Sequence, residues 1–144
     1  MTARSPSTAF VARAAGPDGR RRVLLAEEDA ITVDVIRHRL ERDGLAVETV
    51  GDGPAALDAL AARSFDAVLL GAVLAGVDGV EILRRIRAGD VGRPQTGVGL
   101  IVWPGNDGLV ARAYNLDADD VIVRPLSLVA VSASVRRLAR RAFS

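Results

Sequence analysis

At 144 residues, with 49% hydrophobic and 26% charged side chains, the chain has the size and composition of one globular domain with its own core, and not of a disordered segment. It contains no cysteine, which excludes disulfides, thiol nucleophiles and cysteine-ligated metals and makes the cytoplasm the simplest expected location. The formal net charge is +1 and all 19 basic residues are arginine, so there is no whole-molecule attraction to nucleic acid or anionic membrane, and no catalytic lysine. The arginine bias also suggests a GC-rich genome.

Residues 1–22, "MTARSPSTAFVARAAGPDGRRR", carry no carboxylate before Asp18 and read as a flexible arm. The apolar run "AFVARAA" is short and broken by Arg13, which fits neither a signal-peptide core nor a membrane span. From Val23 the chain alternates. "VLLA" is a short buried strand ending in "EED"; "ITVDVIRHRLERDG" places Val33, Ile36 and Leu40 on one helical face, with Gly44 closing the helix. "LAVETV" is a second strand, and "GDGPAALDALAARS" a second helix with Pro54 in its first turn and Leu57 and Leu60 inward. "FDAVLL" is apolar enough to be buried on both faces. In the helix "GVEILRRIRAG" the residues Val80, Leu83 and Ile86 should face the core, with Arg84, Arg85 and Arg87 facing water. "VGLIV", "NDGLVARAYNL", "DDVIV" and "SLVAVSASVRRLARR" complete five strand–helix units. Strict alternation predicts a parallel sheet covered by helices on both faces, an α/β three-layer sandwich over residues 23–141, with 142–144 a tail or the start of a linker.

Three stretches in order, "VLLAEED", "GVDGVEILRRIR" and "DADDVIVRPLS", resemble the first strand with its acidic cluster, the third loop and helix, and the fifth strand and turn of the receiver domain of bacterial response regulators. That resemblance implies a flavodoxin-like (βα)5 fold with strand order 2-1-3-4-5 and a site outside the carboxyl ends of the strands. It also implies phosphoryl transfer to an aspartate ending the third strand, assisted by Mg²⁺ on acidic residues and by a lysine, with a hydroxyl on the fourth strand and a switch aromatic on the fifth.

Set on this sequence, the acceptor position is Gly71, the lysine position Arg124 (still followed by Pro125), the hydroxyl position Val102 or its neighbour Trp103, and the aromatic position Val121. Only the acidic pair keeps its type, as Glu27 and Glu28, with Asp29 beside them. With the third carboxylate gone, the expectation is no metal or at most a weak one on Glu27 and Glu28, and no cofactor. Arg124 is expected to pair with one of these glutamates and fill the vacated site. Trp103 and Arg124 mark a candidate small-molecule cleft. His38, the single histidine, lies between Arg37 and Arg39 on a solvated face, and Asp78 reads as a turn residue. Asp66, at the start of the third strand, is at the wrong end for chemistry.

The last helix carries Leu128, Val131, Val135 and Leu138 as an inward stripe and a basic end. Receivers with winged-helix output domains dimerise through the fourth helix, fifth strand and fifth helix, and the resemblance assigns Asp119, Asp120, Arg136 and Arg140 to such a face, although Ala130 and Ser134 lack the usual charges. The expected protein is therefore a phosphorylation-independent pseudo-receiver, a homodimeric regulatory module and not an enzyme. It resembles the sensory half of transcriptional regulators of high-GC actinobacteria, with DNA reached only through another domain. The alternatives are a metabolite sensor and a stand-alone protein-interaction receiver.

Overall fold

The computed structural model describes residues 19–141; the expected tail 142–144 and most of the expected arm lie outside them. Arg22, placed in the arm by composition, is instead the first residue of a strand. The chain alternates β1 (Arg22–Ala26), α1 (Ala30–Arg42), β2 (Ala46–Val50), α2 (Gly53–Ala62), β3 (Ala67–Gly71), α3 (Gly79–Ala88), β4 (Gly97–Val102), α4 (Asp107–Asn115), β5 (Asp120–Val123) and α5 (Leu128–Arg141). All strand pairs are parallel, in the order β2-β1-β3-β4-β5. This is the expected flavodoxin-like topology.

Side-chain alternation along each strand divides the core in two. Leu24, Ala26, Val68, Leu70, Leu100 and Val102 face one cluster with α2, α3 and α4. Val23, Leu25, Ala67, Leu69, Ile101 and Ile122 face the other, where Ile36 and Leu40 of α1 meet Val131, Val135 and Leu138 of α5. Each fully buried aliphatic contributes about 1.5–3 kcal/mol, so the central strands anchor the domain. The α5 helix comes unusually close to the sheet. A Cβ at Gly97 would lie 2.0 Å from the Leu138 carbonyl oxygen, so only glycine permits that approach.

Two sequence expectations change. Asp78 is the N-cap of α3, its carboxylate accepting from the Glu81 N–H at 2.8 Å. Arg87 does not face water. Its side chain is only 12% exposed, and its guanidinium donates to Asp119 Oδ2 at 2.9 Å and to the carbonyls of Thr96, Pro94 and Asp117. Helical spacing placed it outside; the β5 approach and the 94–96 loop cover it, and the long stem reaches them.

Candidate functional site

Parallel register brings the carboxyl ends of β1, β3 and β4 level, Ala26 beside Leu70 and Gly71 beside Ile101, while Val102 pairs with Val123. The residues just past or at these ends, Glu27, Gly71, Trp103 and Arg124, therefore meet at one edge of the sheet. There they line a cavity of 240 Å³ together with Glu28 and Asp29.

Glu27 is the buried member, 5% exposed. Arg124 Nη2 donates to its Oε1 at 2.6 Å, and the Asp29 backbone N–H donates to its Oε2 at 2.9 Å. Both carboxylate oxygens are thus engaged. Arg124 also donates from Nη1 to Thr32 Oγ1 at 3.2 Å, and its guanidinium lies 4.7 Å from the centre of the Trp103 ring, a cation–π arrangement. Thr32 in turn donates to Asp29 Oδ2, which holds the Asp29 carboxyl below its ordinary value, with Arg124 adding a smaller pull. The pairing expected for Arg124 is present, and it selects Glu27. Glu28 is exposed and has no polar partner among the described residues.

At Gly71 a side chain would meet the Glu27 carboxylate. An ideal Cβ built on Gly71 would stand 2.7 Å from Glu27 Oε1, inside the closest approach such atoms make. The Glu27 carboxylate thus occupies the space into which a side chain at 71 would grow, and Arg124 keeps it there.

Between the two residues considered for the hydroxyl position the structure distinguishes clearly. Val102 is buried and turns into the core beneath α2, α3 and α4, whereas Trp103 is 60% exposed and reaches Arg124. Trp103, one residue beyond β4, is the one whose side chain reaches Arg124. Val121 is half-buried against the same core as Val102. No group of three or more metal-ligating side chains occurs among the described residues. The residues left at this edge are a poor cation set as well: one carboxylate of the acidic pair is already spent on a guanidinium.

Of the expected dimer-face residues, the acids are bonded within the chain. Asp119 accepts from the Val98 N–H and from Arg87 through Oδ2 and from Arg141 through Oδ1. Asp120 accepts from Ser134 Oγ at 2.7 Å and from Arg137 at 2.6 Å. Arg136 and Arg140, expected to pair across a dimer face, take no part in these bonds within the chain; both lie exposed on α5, and Arg136 acts at a distance on Asp43. The reason is helical phase: Ser134, Arg137 and Arg141 are the α5 positions that face β5. His38 is exposed on α1, as expected. Asp66, at the opposite end of the sheet, is wholly buried; its Oδ2 accepts from the Arg22 N–H at 2.8 Å, and burial raises its pKa.

A five-stranded doubly wound sheet with a charged site outside the carboxyl ends of β1, β3 and β5 is the layout of a flavodoxin-like α/β domain. The family model for the response regulator receiver domain matches residues 23–136, and the chain belongs to that family. It is 37% identical over 122 residues to the response regulator protein PmrA of Pseudomonas aeruginosa, covering 83% of this chain and 53% of that protein. It is 31% identical over 131 residues to the transcriptional regulatory protein TcrA of Mycobacterium tuberculosis, covering 90% and 50% respectively. The chain thus spans about half the length of these curated relatives. Among solved structures, a CheY-like receiver domain protein from Methanospirillum hungatei superposes with a TM-score of 0.79 at 18% identity, covering 87% of this chain and 98% of the other. That likeness concerns the fold. No described helix is long and apolar enough to cross a membrane.

Proposed function

We propose that this receiver works without accepting a phosphoryl group, as a binding and regulatory module and not as an enzyme. One observation carries the reading: at the end of β3 there is no side chain, and the space it would enter holds the Glu27 carboxylate, 2.7 Å from where the Cβ of residue 71 would be. Phosphoryl transfer needs a nucleophile at that point and a divalent ion to neutralise the developing charge. Here a guanidinium, that of Arg124, stands against Glu27 in place of such an ion. A state that other receivers reach by modification would be set in this chain by an internal ion pair. The names of the relatives further support a place within a transcriptional regulator, with DNA contacted by another domain.

Incubation with acetyl phosphate or phosphoramidate and Mg²⁺, followed by intact-mass measurement, tests the central claim. The expected spectrum shows the unmodified mass alone. A labile adduct of one phosphoryl group would overturn it.

A further inference from the structure

Beside the occupied acceptor site lies a second cavity, 460 Å³, between α1 and the turn that leads from β5 into α5. Its walls are apolar: Ile31 and Val35 from α1, Leu126 and Leu128 from the turn and α5, with Trp103 and Arg124 shared between it and the 240 Å³ cavity. Ile31 is 75% exposed, Trp103 60% and Val35 45%. A soluble domain gains nothing from keeping these side chains together in water, and grouped exposed apolar surface marks a binding site. The size falls within the range of small-molecule sites, which combine apolar walls with a few convergent polar groups.

Charge identifies the occupant. Three carboxylates, Glu27, Glu28 and Asp29, line the smaller cavity against one guanidinium. Arg124 is bonded to Glu27 and so offers no free charge to an anion. Glu28 has no partner among the described residues, and the Asp29 carboxylate meets the Thr32 hydroxyl and the backbone N–H groups of Ile31 and Thr32 but no cation closer than a distant Arg124. The mouth is therefore net negative, beside an apolar groove faced by an indole. We infer that the two cavities form one site for a cationic amphiphilic small molecule, its flat apolar body on Trp103, Ile31 and Val35 and its protonated nitrogen beside Glu28 and Asp29. A cation near an aromatic face and two carboxylates is favoured by both. The smaller cavity includes Gly71, but ring binding is read without any phosphoryl donor, so its outcome is separate from that of the mass measurement.

Calorimetric titration of the whole chain with 9-aminoacridine, a flat ring carrying positive charge, and with acridine-9-carboxylate, the same ring carrying negative charge, separates charge from shape. The cation should bind one to one and change the emission of Trp103, the only tryptophan, and the anion should bind at least several-fold more weakly. Glu28→Gln with Asp29→Asn should weaken the cation about five-fold, the scale of two exposed ion pairs. Ile31→Ser with Val35→Ser, both at exposed positions, should weaken both rings and leave the melting temperature unchanged. The assignment fails if neither ring gives saturable binding, if the two bind alike, or if the variants bind like the parent. It fails equally if the serine variant instead abolishes self-association in sedimentation, which would make this face a contact between copies.

Discussion

Gly71, Glu27 and Arg124 act as a unit, because the first lacks the side chain whose space the second fills and the third fixes. Glu27 and Arg124 are 6% and 11% exposed at their side chains. Cutting one member of so buried a pair leaves a charge without compensation, at a cost of roughly 3 kcal/mol. Arg124→Ala should accordingly lower the urea midpoint by that equivalent, and millimolar Mg²⁺ should recover part of it by refilling the acidic edge. A variant that melts like the parent would show that the pair is solvated and idle. Gly71→Asp must push Glu27 aside and set two carboxylates together, which raises the pKa of one and destabilises the fold by about 1–3 kcal/mol. That variant alone should still give no phosphoryl adduct in the mass measurement, since Arg124 remains on Glu27 and Trp103 brings no hydroxyl.

At the scale of elements, α3 and α5 are tied to the sheet through Asp119. It bonds the Val98 N–H of β4, Arg87 of α3 and Arg141 of α5, while Arg141 also holds Asp117 below its ordinary value. Burial, with the nearby charge of Arg141, pulls Arg87 below the usual guanidinium value, while Asp119 and Asp117 pull it back up, so the two acids compensate a buried cation. Asp119→Ala should therefore cost about 2–4 kcal/mol in chemical denaturation, and Asp119→Asn distinctly less because its amide oxygen still accepts from Val98. Equal losses for the two would mean that the charge facing the arginines, not the backbone bond to Val98, is what matters. A dimer through α4, β5 and α5 that used Asp119 or Asp120 would first have to take these acids from Arg87, Arg141 and Arg137. None of this was legible in the sequence. Periodicity places apolar residues well, since burial is repaid along a whole strand or helical face, and it located every strand and helix here. A long arginine obeys no such period: Arg87 sits at a polar phase of α3 and bends back to carbonyls that only the folded loop supplies. The Arg124 pairing was legible because the resemblance set Arg124 opposite the acidic pair, and strand-end positions in a parallel sheet converge whatever the side chain. The choice of Glu27 over Glu28 was not, as it follows from strand alternation one residue beyond β1.

For the molecule as a whole, a near-neutral net charge conceals a set of carboxylates whose pKa values move in opposite directions. Glu81 is pulled down to about 2 by hydrogen bonds from Arg84 and then Arg85. Asp29, Asp43 and Asp117 are lowered too, chiefly by hydrogen bonds from Thr32, Ser132 and Arg141. Asp66 alone is raised, by burial. For a lowered group the folded state holds its proton less tightly than the unfolded chain; its stabilisation is complete above the unfolded value, 4.5 for Glu81, and disappears as pH falls towards 2. For Asp66 the sign reverses, and its contribution is complete below the unfolded value of 3.8 and lost as pH rises through its elevated folded value. Four groups against one mean that the melting temperature should fall on acidification from pH 5 to pH 2. Glu81 is the clean probe, because it lies on the solvent side of α3 and touches neither the site nor the Asp119 cluster. Glu81→Gln should melt below the parent at pH 6 by a small margin that added salt narrows, as exposed pairs are screened. At pH 2 the two should draw closer together, since the parent's glutamate is then about half protonated and its arginines have lost about half of their charged partner. A gap that stays constant across this range would assign the difference to side-chain packing and not to charge.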